Sequence, residues 1–480
     1  MTFINIPLDS RPCNLRFPKQ IAAMAGVKLL QPSQMDHFTT PADYNALVFF
    51  LQTFANRATH LVISLDHWCY GSLLASREPD VSIQEALSRL NTLEKILQAH
   101  PHMKVSAYSV IMRSSISTLC KEDLPYYQLM TAYSQQWHQA KLTCTQMDQE
   151  KLKAIMKSIP PWLLQRYNAV RSRNHAVNQR AITLCHAGFF DKLLLLQEDS
   201  QSLGFHRVEQ EALVKAIAKD MRIHLHNGTD EAGMLLVADA VRNAEKPLKL
   251  RVSYLQGNGA FIPMFEDRPF SHNVASHCKA IGIQLTEVSE DCVLCIVVPE
   301  NGVQTDRLSE NGSIASASSI KQVLYELDKG KPVALLDVQY VNGGDGYLLN
   351  ALGQQILSKL AGYAAWNTAC NSLGTVLAQL RSTSGKASEL SSIFTIERLL
   401  DDYLYQSVVR SKLQAQLEVN GEDIYHLKNR TKAEAALQIL FHDALDHYII
   451  PDFPNTRIAV SLPWERTFEA DIRLTKNKGV

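Results

Sequence analysis

Carboxylate side chains follow several apolar runs of the sequence, and they have the greatest potential for chemistry. Glu198 and Asp199 come directly after the apolar run 193–196 and Gln197, while Asp66 and Asp230 follow two other such runs. A buried carboxylate is costly unless it is paired, hydrogen-bonded or used in chemistry. Two carboxyl groups in different environments can supply an acid and a base. We therefore predict that Asp66, Glu198, Asp199 and Asp230 are catalytic.

Each of these carboxylates also has a structural interpretation. Asp66 can cap the helix that follows it, and either Thr229 or Asp230 can cap the apolar helix after that position. Because side chains alternate along an extended chain, Glu198 and Asp199 are expected to point apart, with only one facing a site. We favour Asp199 for acid or base work, with Asp66 or Asp230 as its partner.

Arginine, amide and aromatic side chains also occur near the ends of the apolar runs. Arg11 lies in a turn stiffened by Pro7 and Pro12, and Arg113 follows another apolar run. Aromatic rings beside a carboxylate suit the faces of sugars and other flat polar ligands, whereas loop ion pairs are the structural alternative. The residues that we predict to bind substrate are Asp9, Arg11, Asn14, Tyr70, Arg77, Arg113, Asn174, Asn178, Glu231, Glu266, Arg268, Asp337, Asn342, Asp345, Trp366, Asn367 and Asn371.

Two stretches place amide side chains at helical spacing. Arg171, Asn174 and Asn178 stand at i, i+3 and i+7, so that on a helix they share one face. Asn is a poor helix former, which favours a role for that face, although a solvated face is the alternative. Asn367 and Asn371 stand at i and i+4, where they could orient hydroxyl or acetamido groups or simply mark a helix-packing stripe.

The elements that must position these residues alternate along the chain. Short, nearly continuous apolar runs are separated by longer segments with helical periodicity, which predicts an α/β fold with parallel strands buried on both faces. Nine candidate strands slightly exceed the eight of a closed barrel. We predict a barrel-like parallel sheet surrounded by helices, with two α/β domains as the alternative. Polar residues at the strand ends would then meet at the carboxyl edge.

Pattern changes along the chain predict its organisation. We expect an α/β domain with the catalytic residues over 1–245, which contains a helical insertion or lid at about 121–178. A second α/β segment over 246–385 would complete or flank the site, with Lys246 and Pro247 as a hinge. The region 386–480 is predicted to be helical.

Composition excludes several classes of protein. The 480 residues include 48 Lys and Arg and 48 Asp and Glu, so the formal net charge is zero and we expect neither nucleic acid nor an anionic membrane as partner. We find no signal peptide and no apolar stretch long enough to span a membrane, and we expect a cytoplasmic location. The nine scattered cysteines do not predict a disulfide framework.

Motifs for metals, nucleotides and serine hydrolases are missing from the sequence. We find no HExxH, no GxSxG, no phosphate loop and no GxGxxG that opens a helix. The pair Cys292 and Cys295 lies inside an apolar strand pattern, without a second pair at zinc spacing. We therefore predict no cofactor and no metal, and leave the oligomeric state open.

A set of motifs resembles one bacterial protein family. The set is PLDSRPCN, SLDHWCYGSLLASR, VIMR, QEDS, NGTDE, FEDRP, LDVQYVNGGD and AAWNTACNSLG, in this order. Together they resemble a family known as a domain of unknown function, number 4127, over nearly the whole chain. The family pattern has two aspartates at the carboxylate pair, whereas this sequence has Glu198 and Asp199. The resemblance supports the choice of site positions and implies no particular reaction.

The function we expect is glycan hydrolysis of the glycoside-hydrolase type, because strand-end carboxylates occur with aromatic and amide side chains. A first alternative is a metal-dependent hydrolase or lyase with Asp9, Asp66, Asp199 and Asp345 as oxygen ligands. A second alternative is a protein that binds a small metabolite without catalysis, in which the carboxylates are neutralised by arginines.

Overall fold

The computed structural model describes residues 2–242, 246–306, 317–448, 450–451 and 456–476. The chain divides into two compact units. The first unit consists of Met1–Ser10, Lys28–Gly233 and Phe265–Asp267, and the second of Arg11–Val27, Met234–Met264 and Arg268–Val480. Each unit contains a parallel β-sheet and its own hydrophobic core.

The strands of the structure are short, and most belong to one of the two parallel sheets. They are β1 Thr2–Ile6, β2 Lys28–Leu30, β3 His60–Ser64, β4 Lys104–Ile111, β5 Lys192–Gln197, β6 Ile223–Asn227, β7 Leu248–Tyr254, β8 Ile283–Leu285, β9 Cys292–Val297, β10 Thr305–Asp306, β11 Val333–Asp337, β12 Tyr340–Val341, β13 Gly362–Ala364, β14 Thr456–Ser461 and β15 Asp471–Lys476.

Helices connect most of these strands. They are α1 Pro12–Met24, α2 Tyr44–Phe54, α3 Leu65–Tyr70, α4 Ile83–Ala99, α5 Leu124–Thr143, α6 Gln146–Ser158, α7 Pro161–His186, α8 Phe205–Ile217, α9 Ala232–Val241, α10 Phe270–Ala280, α11 Ala317–Asp328, α12 Gly346–Leu352, α13 Gln354–Leu357, α14 Ala369–Thr383, α15 Glu389–Arg398, α16 Arg410–Val419 and α17 Arg430–His447. A π-helix, Leu399–Val409, joins α15 to α16 without a break.

The sheet of the first unit has six parallel strands in the order β2-β1-β3-β4-β5-β6. Residues 193–196 of β5 are fully buried, as the continuous apolar run predicts for a strand covered on both faces. Each such leucine contributes roughly 2 kcal/mol through its burial. Strand β1 lies between β2 and β3. The chain crosses from β1 to β2 on one side of β1, whereas from β3 it continues to β4 on the other side. The loops after β1 and β3 therefore diverge, and crevices at such points are where α/β proteins bind ligands.

The sheet of the second unit has five parallel strands in the order β13-β11-β9-β7-β8. Counted in chain order within the unit, this is the same arrangement as in the first unit, because β7 lies between β8 and β9. Its core includes residues from strands β9 and β11, from the π-helix and from α17. Because the strands within each sheet are parallel, each sheet has the carboxyl ends of its strands, and the loops after them, at one of its own edges.

Local signals in the sequence explain where several helices begin. Asp43 accepts a hydrogen bond from the backbone of Asn45 at 2.8 Å, and Ser82 accepts one from Glu85 at 3.1 Å. Ser64 caps α3 by accepting from His67 at 3.2 Å. These caps satisfy N–H groups that the first turn of a helix leaves unpaired. Because α3 starts at the end of β3, the cap also fixes the position of Asp66 at the sheet edge.

The predicted α/β class is confirmed, with a six-stranded and a five-stranded parallel sheet surrounded by helices. In the described residues the strands form two large parallel sheets and two two-stranded sheets. The six-stranded sheet ends at β2 and β6 and does not close into a barrel. The sequence pattern counts apolar runs but does not fix which strands pair. Helices α5, α6 and α7 occupy most of the predicted insertion.

The C-terminal region differs in part from the expected helical segment. It contains α15 to α17 and the π-helix, but it ends in an antiparallel pair formed by β14 and β15. Polar and apolar residues alternate over 471–475 of β15, which is a period of two rather than 3.6, whereas β14 has three consecutive apolar residues at 458–460. Residues 243–245, at the predicted domain boundary, lie outside the described residues, and the three-part domain division stays a prediction. Within the described ranges, no helix combines the length and hydropathy that a membrane span requires.

Candidate functional site

A group of buried carboxylates lies at the carboxyl edge of the first sheet. We define the carboxylate cluster as Asp9, Asp66, Glu198, Asp230 and Glu231, which follow strands β1, β3, β5 and β6 and are each less than a tenth exposed. The buried side chain of Tyr108, on β4 between them, has its pKa raised well above the usual value by burial and by the charges of Asp9, Asp66 and Asp230. Residues distant in sequence thus share one electrostatic environment.

Asp66 has a pKa close to physiological pH. Its carboxylate oxygen Oδ2 accepts a hydrogen bond of 2.9 Å from the backbone N–H of Val110. Burial raises the pKa of Asp66 to about 7, and the charge of Glu198 raises it further against the hydrogen bond from Val110. A carboxyl group that titrates near pH 7 can act as a proton donor or acceptor.

Glu198 interacts electrostatically with Asp66 and is paired with arginine. It forms a buried ion pair with Arg77, whose Nη1 also donates to the hydroxyl of Ser117 at 3.0 Å. Burial raises the pKa of Glu198, while Arg77 and Arg113 oppose the rise. The second oxygen, Oε2, is buried without a hydrogen-bond partner among the described residues. Such an atom is costly unless a ligand or water satisfies it.

Asp199 is positioned differently from its neighbour. Its Oδ2 accepts from Nη1 of Arg113 at 2.8 Å, and its side chain is about a quarter exposed. The backbone at Asp199 has a positive φ of 33°, which turns the chain sharply after β5. Glu198 and Asp199 thus bind different arginines. Their binding to different arginines agrees with the expectation that the two side chains point apart.

Glu231 is held at the start of α9 by the preceding turn. Its Oε2 accepts a hydrogen bond of 2.7 Å from the backbone N–H of Thr229. Burial raises the pKa of Glu231 to about 8, and the hydrogen bond from Thr229 opposes the rise. Its carboxylate also fills the space next to Gly228, where a Cβ atom would approach Oε1 to 2.0 Å. Glu231 is therefore a second buried carboxyl group that favours its protonated form at neutral pH.

Two further polar residues of this edge escaped the sequence prediction. Both amide atoms of Asn5, on β1, are buried without a hydrogen-bond partner among the described residues. His67 follows Asp66, and its Nδ1 lies 3.3 Å from the carbonyl oxygen of Leu8. Burial lowers the pKa of His67 to about 4, and the charge of Asp9 opposes this. The signal for Asn5 was present, because an amide inside an apolar strand is unusual.

Three residues predicted to bind substrate make contacts within the first unit instead. Asn174 donates to the carbonyl of Ser76 at 2.8 Å, and Asn178 accepts from Ser109 at 2.6 Å, so both brace the backbone near the strand ends. The guanidinium of Arg173 lies 4.2 Å from the ring centroid of Tyr70 and covers one face of that ring. The predicted shared face on α7 exists, but its groups hold the protein together.

Arg171 and Glu266 complete the first-unit residues singled out by the sequence. Arg171 pairs with Glu209 at 2.8 Å and donates to the carbonyl of Met112 at 2.5 Å, which fixes the end of β4. Glu266 is buried in the segment 265–267 of the same unit. The neighbouring carbonyl of Phe265 accepts from the backbone of Ser200 at 2.7 Å and so joins this segment to the loop after β5.

The remaining predicted residues belong to the second unit and form a separate set. They are Arg11, Asn14, Arg268, Asp337, Asn342, Asp345, Trp366, Asn367 and Asn371. Asp345 caps α12 by accepting from Tyr347 at 2.9 Å, and Asp337 accepts from Asp345 at 2.6 Å. Asn14 and Asn371 are buried in the first turns of α1 and α14. Asp345 therefore acts as a helix cap, and Asp337 holds the backbone of the turn before α12.

A cleft in the second unit brings three of these predicted residues together. We define the cleft by its lining residues, which are Pro12, Cys13, Phe17, Asn342, Trp366, Asn367, Arg398, Asp401, Gln406, Phe468, Glu469 and Ala470. Its cavity volume is about 20 Å³, which is room for roughly one water molecule. Its charged members, Arg398, Asp401 and Glu469, lie in the region 386–480, for which the sequence predicts helices but no site.

The two asparagines of the cleft have an unusual backbone conformation. Asn342 has a φ of 60° and Asn367 a φ of 54°, in the left-handed region that non-glycine residues rarely adopt. The backbone N–H of Asn342 donates to the carbonyl of Asn367 at 2.9 Å, which holds the two turns together. Residues in such conformations cluster at functional sites. The two amide side chains are thus presented from one rigid pair of turns.

The π-helix supplies the acidic wall of the cleft. Arg398 pairs with Asp401 at 3.0 Å and with Asp402 at 2.8 Å, and all three residues are buried. Burial raises the pKa of Asp402 to about 7, and that of Asp401 is also raised by burial. π-Helical turns are rare and occur mostly at functional sites, because they change which side chains face a neighbour. Asp401 lines the cleft, while Asp402 accepts from the backbone of Ala365 at 2.9 Å.

The four aspartates considered as metal ligands do not share one environment. Asp9 and Asp66 belong to the carboxylate cluster, but Asp199 is paired with Arg113 and Asp345 caps α12. The structure therefore gives this ligand set no support.

One family model matches nearly the whole chain. The model described as a protein of unknown function (DUF4127) covers residues 3–473. The search of curated proteins finds no match.

Proposed function

We propose that this chain, which belongs to the DUF4127 family, is a hydrolase of the glycoside-hydrolase type that acts on a glycan or glycoconjugate at the carboxylate cluster. The observation that supports it is the electrostatic interaction of two unlike buried carboxyl groups at one sheet edge. Asp66 has a pKa of about 7, and Glu198 has one oxygen bound to arginine and another with no hydrogen-bond partner among the described residues. Glycosidic cleavage requires one protonated and one ionised carboxyl group.

Asp66 is the general acid in this proposal. With a pKa of about 7, a large part of the population is protonated at neutral pH and can donate to the leaving glycosidic oxygen. Burial is the main cause of the raised pKa, because a carboxylate removed from water loses the solvation that stabilises its charged form. The hydrogen bond from Val110 fixes the orientation of the carboxyl group.

Glu198 is the second carboxylate, acting as the base toward water or as the nucleophile toward the sugar. Arg77 and Arg113 both favour its charged form. The buried oxygen Oε2 has no hydrogen-bond partner in the described part of the chain, so in this proposal it contacts the reacting group. Asp199 was the residue favoured for acid or base work in the sequence analysis. We transfer that role to Asp66, because Arg113 occupies Oδ2 of Asp199.

The other members of the edge bind and orient the substrate. Asp9 and Asp230 can accept hydrogen bonds from sugar hydroxyls, and Asn5 provides an amide. The cysteine usage supports a cytoplasmic location for this enzyme, since the nine thiols are not paired in disulfides.

A panel of aryl glycosides with leaving groups of different basicity tests the proposal. We expect the wild type to hydrolyse at least one 4-nitrophenyl glycoside. Asp66→Asn should lower kcat by about 100-fold or more on that substrate, but by much less on the matching 2,4-dinitrophenyl glycoside, whose leaving group requires no acid. Glu198→Gln should lower kcat on both substrates.

A matched control is Glu78→Gln. Glu78 pairs with Arg166 in the same unit, but its side chain is 27% exposed and lies outside the carboxylate cluster. This variant should retain wild-type kcat. If the wild type hydrolyses no glycoside of a broad panel, or if Asp66→Asn and Glu198→Gln leave kcat unchanged, the proposal is wrong.

A second candidate is a protein that binds a small metabolite without turnover. The observation that favours it is the pairing of three carboxylates with arginines, namely Glu198 and Asp199 after β5 and Glu209 on α8. Such pairs neutralise charge and build a polar binding surface without an acid or base. Saturable binding of a glycan fragment to the wild type, with no hydrolysis over days, would select this function.

A further inference from the structure

We propose that helix α5 holds the loop between β5 and α8 in place and thereby positions Glu198. We call this loop, residues 198–204, the β5 loop. Ser134 and His138 of α5 are the positioning residues, and they act through the backbone of the loop and not on the substrate. The inference rests on the proposed function, since that function gives Glu198 its part in the reaction.

Two buried side chains of α5 accept hydrogen bonds from the end of the β5 loop. The backbone N–H of Gly204 donates to Nδ1 of His138 at 3.1 Å, and that of Phe205 donates to the hydroxyl of Ser134 at 3.0 Å. Ser134 and His138 stand four positions apart and therefore lie on one face of α5. Gly204 is the N-cap of α8 and has no side chain to cap it, so α5 supplies partners for N–H groups that the start of a helix leaves unpaired.

A chain of buried polar groups continues from Ser134 to the loop after β4. The hydroxyl of Ser134 donates to Oγ of Ser114 at 3.0 Å, and this Oγ lies 2.9 Å from Nδ1 of His206. On the other side of the ring, Nε2 of His206 lies 2.9 Å from the carbonyl oxygen of Gln201 in the β5 loop. Because Ser114, Ser134 and His206 are buried, loss of one partner leaves the next group desolvated without a hydrogen bond. The contacts of α5 with the β5 loop are therefore coupled to one another.

Close packing at the same place leaves the end of the β5 loop little room to move. The ring of Phe205 stacks on that of Trp137, also on α5, with 4.0 Å between the ring centroids and 20° between the ring planes. At Gly204 a Cβ atom would approach Oγ of Ser114 to 2.5 Å and Nδ1 of His206 to 2.7 Å. The chain of polar groups therefore packs directly against the backbone of the loop, where glycine is the residue that fits.

The β5 loop is also held at its start, next to the sheet. The side chain of Gln197 donates to the carbonyl oxygen of Glu198 at 2.6 Å, and Asp199 binds Arg113 at 2.8 Å. The loop is thus fixed at both ends, at the sheet by these contacts and at residues 204 and 205 by α5. Displacement of a reacting group by about 1 Å can lower a rate about 100-fold. Loss of the α5 contacts should therefore slow the reaction without removing any member of the carboxylate cluster.

Hydrogen exchange and kinetics of three variants test the inference. Ser134→Ala and His138→Leu remove the acceptors, so exchange at the amides of Gly204 and Phe205, measured by mass spectrometry on the full chain, should become about tenfold faster. On a 4-nitrophenyl glycoside that the wild type hydrolyses, kcat should fall by about tenfold while KM changes by less than about twofold. His138→Gln keeps an amide oxygen that can accept from Gly204, and it should restore both exchange and kcat to near the wild-type values.

The matched control is His175→Leu. His175 lies on α7 of the same unit and is half-buried, and its Nε2 lies 3.1 Å from the side-chain nitrogen of Gln179 on the same helix. This variant should leave both the exchange at Gly204 and kcat unchanged.

Two results overturn the inference. Exchange at Gly204 and Phe205 that stays at the wild-type rate in Ser134→Ala and His138→Leu would show that α5 does not hold the loop. Faster exchange with unchanged kcat in an active enzyme would show that the hold does not serve Glu198. A wild type that hydrolyses no glycoside is a different failure, because it overturns the proposed function together with the role of Glu198, while exchange still decides whether α5 holds the β5 loop.

Discussion

The carboxylate of Asp66 accepts a hydrogen bond of 2.9 Å from the backbone N–H of Val110, although burial raises the pKa of this aspartate to about 7. The two effects oppose each other, because the hydrogen bond favours the charged form and burial favours the neutral one. Burial is the larger of the two. The raised pKa of Asp66 therefore weakens the fold progressively between about pH 4 and about pH 7, a cost that proteins often accept at functional sites.

Replacement of Asp66 by Asn should change how stability depends on pH. The unfolded chain loses the proton of Asp66 near pH 4, whereas the folded protein retains it up to about pH 7. Stability of the wild type therefore falls as pH rises through this window. Asp66→Asn cannot ionise but keeps an oxygen for Val110, so at pH 8 it should be more stable than the wild type by about 2 to 4 kcal/mol.

Urea unfolding of both proteins at pH 4, 6 and 8 measures this effect. At pH 4 the two free energies of unfolding should be similar, and the difference should grow toward pH 8. The exposed Asp80 in the same unit provides the control, because Asp80→Asn should follow the wild-type curve at every pH. Equal pH dependence of the wild type and Asp66→Asn would show that the carboxyl group is already ionised in the folded state.

Gly228 should tolerate no side chain, because its Cβ would meet the carboxylate of Glu231 at 2.0 Å and its φ is 104°. Gly228→Ala is expected to lower the free energy of unfolding by about 2 to 4 kcal/mol, through backbone strain and displacement of Glu231. Gly188 is the matched position, since its φ is 86° but nothing lies within 4 Å. Gly188→Ala should cost only about 1 kcal/mol. Comparable losses in chemical denaturation would contradict the packing around Glu231.

Arg398 should be among the most sensitive charged residues of the second unit. Arg398→Met leaves the buried Asp401 and Asp402 without their cation, and we expect a loss of about 3 to 5 kcal/mol at pH 8. The loss should shrink at pH 5, because both carboxyl groups can then take up protons. Arg430→Met removes a more exposed pair with Glu465 and should cost under about 1 kcal/mol. A loss for Arg398→Met that is independent of pH would assign it to packing on Phe17 instead.

Thiol labelling of the folded protein should be dominated by one residue. Cys144 is exposed and Cys120 is partly buried, while the other seven cysteines are buried. Burial and the hydrogen bond to Glu122 raise the pKa of Cys120 to about 11, so it has little reactive thiolate at pH 8. A disulfide reagent should therefore give about one fast equivalent, which Cys144→Ser removes. Two or more fast equivalents in Cys144→Ser would contradict the burial of the remaining thiols.

Strand positions of the α/β fold could be predicted because the decisive signal is local. A run such as 193–196 is apolar at every position, and only a strand covered on both faces accommodates it. The hairpin of β14 and β15 was not predicted, because polar and apolar residues alternate in β15 but not in β14. The same local pattern does not predict that the parallel strands form two large sheets rather than one barrel. Strand pairing depends on contacts between segments that are far apart in sequence.

For the candidate site, residue types indicated positions but not roles. Asp66 and Glu198 were recognisable because a carboxylate follows an apolar strand, and the structure gives them a common environment. The partner of each carboxylate was not recognisable, because Arg77 is 121 positions from Glu198. Asp401 and Glu469 were overlooked for the same reason.

The identity and order of the amino acids were sufficient to establish the α/β class, the strand-end carboxylates and the membership of a family, because these depend on short-range pattern. The protonation preference of Asp66, the burial of the Glu198 oxygen Oε2 and the cleft with its two left-handed asparagines arise only when the chain has folded. Burial and electrostatic interaction depend on distances in space, and those distances are set by how separate segments pack.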